Sequence, residues 1–153
     1  MGSRRSWFSE LSSGAEVSVT WAGEQRFIGS DGIGHSIVFD SSSEGAGVGM
    51  GPMKGLLASL GACSGMDVVA ILRKRKQRVT SLRVELKGTR PASGYPKPYE
   101  EISLMYIVGG RGLERKCVDE AVSDSMRKYC SVAATVSGRA KITYGYTIVE
   151  EKD

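Results

Sequence analysis

Residues 50–78 read MGPMKGLLASLGACSGMDVVAILRKRKQR, the longest apolar stretch of the chain. Leu56, Leu57, Leu60, Met66, Val69, Ile71 and Leu72 leave almost no polar face across its middle. Pro52 suits a first helical turn, where a missing N–H is no loss. Arg73, Lys74, Arg75 and Lys76 complement the negative end of a helix dipole. The pattern predicts a buried helix from about Pro52 to Gln77, and a helix apolar on nearly every side must be covered on nearly every side. Gly55, Ala58, Ser59, Gly61, Ala62 and Gly65 are small enough for another backbone to come close. A membrane span is the rival reading, but Lys54 and Asp67 bracket only 12 uncharged residues, short of the ~20 that a span needs. One thiol, Cys63, lies mid-stretch; as a lone residue it reads as a small buried hydrophobe.

Outward from the helix, strands are signalled by alternation. Residues 15–22 (AEVSVTWA) alternate Val17, Val19 and Trp21 with polar residues. Arg26-Phe27-Ile28 and His35 to Asp40 are two more short strands, separated by the turn-rich Gly29-Ser30-Asp31-Gly32. The three predict an antiparallel meander. The glycine-rich 41–51 loop has no phosphate-binding signature and reads as a lid or entry loop. After the helix, Thr80 to Thr89 and Tyr99 to Val108 are strands, the second broken by Gly109-Gly110. Leu113 to Lys128 has the apolar spacing of an amphipathic helix, with Cys117 on its apolar face and therefore assigned to core packing. Lys141 to Glu150 is the last strand. The order β-β-β-α-β-β-α-β is an α+β arrangement, with antiparallel sheets around a long buried central helix. Residues 1–14 read as a mobile segment and 15–153 as a single domain.

Totals exclude several classes. With 153 residues, 41% hydrophobic and 25% charged, the chain is one ordinary globular domain. A net charge of +4 is only mildly basic, and the 73–78 block reads as a solvated helix end rather than a nucleic-acid footprint. Three widely spaced cysteines, Cys63, Cys117 and Cys130, and no secretory signal argue for a reducing, cytoplasmic setting. There is one histidine, His35, and no CxxC or HExxH spacing, which argues against a structural zinc site and a Cys-His protease. Gly2 with Ser6, followed by Arg4-Arg5 inside the same segment, matches the short myristoylation pattern, a motif of low specificity.

Gly51-Pro52, the run Leu56-Leu57-Ala58-Ser59-Leu60-Gly61-Ala62-Cys63, and the later Tyr129-Cys130-Ser131-Val132 together resemble the OsmC/Ohr family of thiol peroxidases. Cys63-Ser64-Gly65-Met66-Asp67-Val68-Val69 followed by Ile71-Leu72-Arg73-Lys74 resembles its OsmC-like branch. The resemblance spans roughly residues 15 to 150. It implies an intertwined homodimer without a cofactor. It also implies that Cys63 attacks organic hydroperoxides, that Cys130 resolves the sulfenic acid as a disulfide, and that a dithiol such as a dihydrolipoyl protein reduces it. An arginine, for which Arg26 is the nearest match, and a glutamate tune the reactive thiol in the family. The chain departs from the pattern in having Met53 and Lys54 where the glutamate stands and Ser131 where a proline often follows the second cysteine. The alternative is a non-enzymatic protein with inert thiols, whose dimer cleft holds a small apolar ligand near Met50, Met53 and Met66.

Overall fold

The computed structural model describes residues 16–41 and 47–151; the 1–14 segment and its lipidation pattern lie outside them. Two compact units, Met1–Gly55 and Leu56–Asp153, divide the chain.

The first unit is the expected meander. Strands β1 (Ser18–Trp21), β2 (Phe27–Ser30) and β3 (Ser36–Phe39) pair antiparallel in that order. The register sets Val19 against Gly29 and Ile28 against Val38. Asp31 stabilises the second turn: its Oδ1 accepts the N–H groups of Ile33 and His35, and its Oδ2 lies 2.6 Å from His35 Nδ1. The imidazole next to it holds the Asp31 carboxyl below its ordinary range. The chain then returns so that Met50 bridges Phe39 in parallel. This sheet keeps much of its apolar surface open: Trp21 is 64% exposed, and Val17, Val19 and Ile37 are also exposed.

Helix α1 (Pro52–Lys74) matches the predicted start and stops one turn short of Gln77. In the second unit its buried stripe is Leu60, Ser64, Val68 and Leu72, each at most 1% exposed. Beside the stripe, Gly61 and Gly65 face Leu82, Val84 and Leu86 of the strand that follows the helix. A Cβ on Gly61 would stand 2.7 Å from Leu86 Cδ1, so the glycine is what lets the helix approach the sheet. In the second unit burial on α1 also takes in Gly61 and Gly65, and the rest of the helix is half-buried or exposed. Leu56 (37%) and Met66 (72%) stay exposed, so the all-round apolarity of α1 exceeds what one chain covers. By length and hydropathy alone α1 would pass as a membrane span; its buried stripe and the contacts of Gly61 and Gly65 are those of a helix packed on a sheet.

The second sheet contains β4 (Arg78–Thr89), β5 (Glu101–Arg111) and β6 (Lys141–Glu150), in that spatial order. β4 and β5 are antiparallel, but β6 runs parallel to β5, where antiparallel pairing was expected. The helical crossover between them permits it, since parallel neighbours require a long connection. A second departure concerns Gly109 and Gly110, which continue β5 instead of ending it. They lie opposite a bulge between Val79 and Ser81. A Cβ on Gly110 would sit 2.4 Å from the Arg78 carbonyl oxygen, so the bulge requires glycine there. Ile102, Leu104, Tyr106 and Val108 supply the buried face of β5.

The predicted 113–128 helix is α2 (Arg115–Asp124), continued by a π-turn over Ser125–Tyr129. A short α3 (Ser131–Val136) follows. The buried face of α2 is Val118, Ala121 and Val122. Cys117 is not part of it. It is half-buried, with its Sγ 3.6 Å from Glu114 Oε2, because the buried stripe runs one position further along the helix than the spacing suggested.

Candidate functional site

Cys63 and Asp67 are four residues apart on α1, hence on one face of the helix. The π-turn brings the second thiol to them. Its wider loop is closed by the Cys130 N–H donating to the Ser125 carbonyl at 2.8 Å. Cys130 then caps α3 in an extended conformation, its sulfur accepting the Ala133 N–H at 3.3 Å. The Sγ of Cys63, the Sγ of Cys130 and a carboxylate oxygen of Asp67 all lie within 4.8 Å of one another. An S–S bond is ~2.05 Å long, so the two thiols are a side-chain movement apart.

Ser125 fastens this arrangement. Fully buried, its hydroxyl lies 3.0 Å from Asp67 Oδ2 and 3.2 Å from the Ser64 carbonyl oxygen, and its proton is shared between them. Beneath, the buried Tyr106 hydroxyl donates to Met126 Sδ at 3.3 Å; desolvation pushes its pKa up to about 12 and keeps it a donor.

The two thiols differ in environment. Cys63 is half-buried, whereas Cys130 is buried, 3% exposed. Burial first, and then the adjacent Cys63 and Asp67, push the Cys130 thiol up to about 11. Cys130 is therefore a poor first nucleophile at neutral pH. Beside the cluster lies a cleft of about 600 Å³ bordered by Asp67, Ile71, Lys74, Arg75, Asp124 and Tyr129. Arg75 is held there by Glu120 and, at 3.9 Å, by Asp124.

The third expected site residue, Arg26, belongs to the first unit. Its Nε donates to Asp40 Oδ2 at 3.2 Å, and Asp40 also accepts the Val48 N–H. The glutamate expected near Met53 is absent, yet Arg26 still has a carboxylate, supplied by Asp40 beyond the end of β3. Lys54 is exposed, as a solvated first-turn lysine is. Asp67, Ser125 and Asp40 were not singled out from the sequence. The i, i+4 spacing from Cys63 was a usable signal for Asp67; the π-turn that delivers Ser125 has none.

Two cysteine sulfurs thus approach each other between the central helix and a helix cap of an α+β chain. Its family is the OsmC-like proteins: the model of that description matches residues 44–145, and the chain is a member. It is 36% identical to protein YhfA of Escherichia coli (strain K12) over 134 residues, covering 88% of this chain and 98% of YhfA. A hypothetical protein from Aquifex aeolicus VF5 superposes with a TM-score of 0.81 at 34% identity, covering 92% of this chain and all of that one. An organic hydroperoxide resistance protein OsmC from Legionella pneumophila shares the fold at a TM-score of 0.64 and 13% identity, over 86% of this chain and 96% of the other.

Proposed function

We propose that the protein is a cytoplasmic thiol-dependent peroxidase that reduces organic hydroperoxides. The observation that supports this best is the approach of the Cys63 and Cys130 sulfurs, with Asp67, to within 4.8 Å. The family includes a structural neighbour named for organic hydroperoxide resistance.

In this reading the Cys63 thiolate attacks the terminal peroxide oxygen. The S–O bond forms, the O–O bond breaks, and the alkoxide leaves as an alcohol after taking a proton. Cys63 is then a sulfenic acid. Cys130 attacks its sulfur, water leaves, and a Cys63–Cys130 disulfide results. An external dithiol, such as a dihydrolipoyl protein, returns both thiols. Arg26, oriented by Asp40, is the cationic partner proposed for the thiolate. The apolar neighbours of Cys63 on α1 favour an organic peroxide over hydrogen peroxide.

The second reading is a non-enzymatic protein with inert thiols that holds a small apolar ligand. The high pKa of Cys130 favours it, because little of that thiol is ionised at neutral pH. One experiment separates the two. Free thiols are counted on reduced protein before and after one equivalent of cumene hydroperoxide, beside Cys63→Ser and Cys130→Ser. The peroxidase reading expects a rapid fall from three thiols to one and a mapped Cys63–Cys130 disulfide, absent in both variants. Survival of all three thiols through minutes of exposure selects the binding protein instead.

A further inference from the structure

The dithiol cluster is also a set of metal-ligand atoms. Cys63 Sγ, Cys130 Sγ and an Asp67 carboxylate oxygen are mutually within 4.8 Å. Around a tetrahedral zinc ion, with Zn–S of ~2.3 Å and Zn–O of ~2.0–2.2 Å, such atoms stand roughly 3.6–3.8 Å apart. Small side-chain movements close the cluster onto an ion. Each of two ligands is already held from outside. Ser125 Oγ donates to Asp67 Oδ2 at 3.0 Å, leaving the other carboxylate oxygen for a metal, and the Ala133 N–H donates to Cys130 Sγ at 3.3 Å. Outer hydrogen bonds of this kind fix the ligands of metal sites. Asp67 also borders the cleft of about 600 Å³, from which water can supply a fourth ligand. Two thiolates and a carboxylate carry three negative charges, and sulfur ligands select zinc over magnesium or calcium. Cys63 and Asp67 are local to α1, but the third ligand comes from the far side of the π-turn, so no short-motif spacing announces the set.

We infer that the reduced Cys63–Cys130 pair and Asp67 bind one zinc ion per chain, and that the zinc-bound and disulfide states exclude one another. Binding displaces one proton from each thiol. A two-electron oxidant then converts two zinc-bound thiolates into a disulfide and frees the ion. With a hydroperoxide, the O–O bond takes those two electrons and two protons, giving an alcohol and water. The zinc site stands without the peroxidase reading, because any disulfide-forming oxidant empties it. It makes zinc a mask on the dithiol, and oxidation the event that lifts it.

The test uses the full reduced chain stripped of metal. Titration with cobalt(II) is expected to give a thiolate-to-cobalt charge-transfer band and the intense visible bands of tetrahedral cobalt, saturating at one ion per chain and displaced by zinc chloride. Ser125→Ala is expected to weaken zinc about 10–100-fold, and Asp67→Asn at least as much. Cys63→Ser and Cys130→Ser should each lose half or more of the charge-transfer band, with circular dichroism verifying their fold, while Cys117→Ser keeps it in full. Diamide added to zinc-loaded protein should release one equivalent of zinc to a chromogenic chelator in step with loss of two thiols. Absence of the thiolate band, its retention in full in both Cys63→Ser and Cys130→Ser, or disulfide formation with zinc still bound would overturn the inference. Failure of cumene hydroperoxide in place of diamide counts against the peroxidase alone.

Discussion

Ser125 Oγ stands 3.0 Å from Asp67 Oδ2, and this contact ties the π-turn to α1 where the two thiols meet. The hydroxyl is fully buried, so its removal takes a donor from both Asp67 Oδ2 and the buried Ser64 carbonyl oxygen. Ser125→Ala is expected to cost about 1–3 kcal/mol, read as a fall in Tm of roughly 2–4 °C per kcal/mol for a chain of this size. Disulfide formation between Cys63 and Cys130 should slow in parallel, because the turn that presents Cys130 loses its anchor. An unchanged Tm would show that the contact contributes no net stability.

Gly65 and Gly110 of the second unit differ in what a Cβ would meet, and substitution distinguishes them. A Cβ on Gly65 would meet Leu82 Cδ2 and Val84 Cγ2 at 3.6 Å, ordinary contact, in a helix. Gly65→Ala should therefore stabilise by about 0.5–1 kcal/mol through helix propensity. A Cβ on Gly110 would meet backbone, the Arg78 carbonyl oxygen at 2.4 Å, and also Leu113 at 2.9 Å. Gly110→Ala must move β4 or β5 and should destabilise by about 1–3 kcal/mol or more. Urea denaturation of the pair gives both signs in one experiment, and equal effects would contradict the packing described at the bulge.

The buried Cys130 thiol makes stability depend on pH in a defined direction. Its folded pKa is raised to about 11, above the ~8.5 of an unfolded chain. The folded state holds that proton more tightly, so the contribution is fully present below the unfolded value and is lost as pH rises toward the folded one. Thermal unfolding under reducing conditions, compared between pH 7 and about pH 10, should fall further for the native sequence than for Cys130→Ala. In the proposed cycle the same shift means that the lifetime of Cys63 sulfenic acid, trapped with dimedone, shortens as pH rises. A lifetime independent of pH from about 7 to 9 would show that Cys130 ionisation does not limit resolution.

The order of elements was readable because it is written in local pattern: period two in the strands, an unbroken apolar run in α1. Residue pairing was less so. Gly109-Gly110 reads as a break in any single-strand reading, and only the bulge across from it at Val79 and Ser81 explains why two glycines continue β5. Parallel pairing of β6 with β5 follows from the path of α2, the π-turn and α3, which periodicity does not describe. At the site, Cys63 and Cys130 were named on the family resemblance, and the structure brings their sulfurs within 4.8 Å of each other. Asp40 as the carboxylate of Arg26 was not, because the pair spans a hairpin and a polar residue past a strand end carries no signature.

The family resemblance implies an intertwined homodimer, and α1 is apolar well beyond its buried stripe. Met66, two residues after the buried Ser64, is 72% exposed, with Leu56 exposed further up the helix. The meander of the first unit likewise exposes Val17, Val19 and Trp21. Large contiguous apolar surface is what a protein interface uses. We therefore expect two chains per particle by sedimentation equilibrium. Met66→Glu should shift the equilibrium to monomer, because a carboxylate placed in an apolar interface loses its hydration without a partner. The variant should keep its far-ultraviolet circular dichroism, since Met66 is not among the buried residues of the single chain. A native chain that sediments as a monomer at all concentrations would remove the dimer and leave the exposed side of α1 to some other ligand.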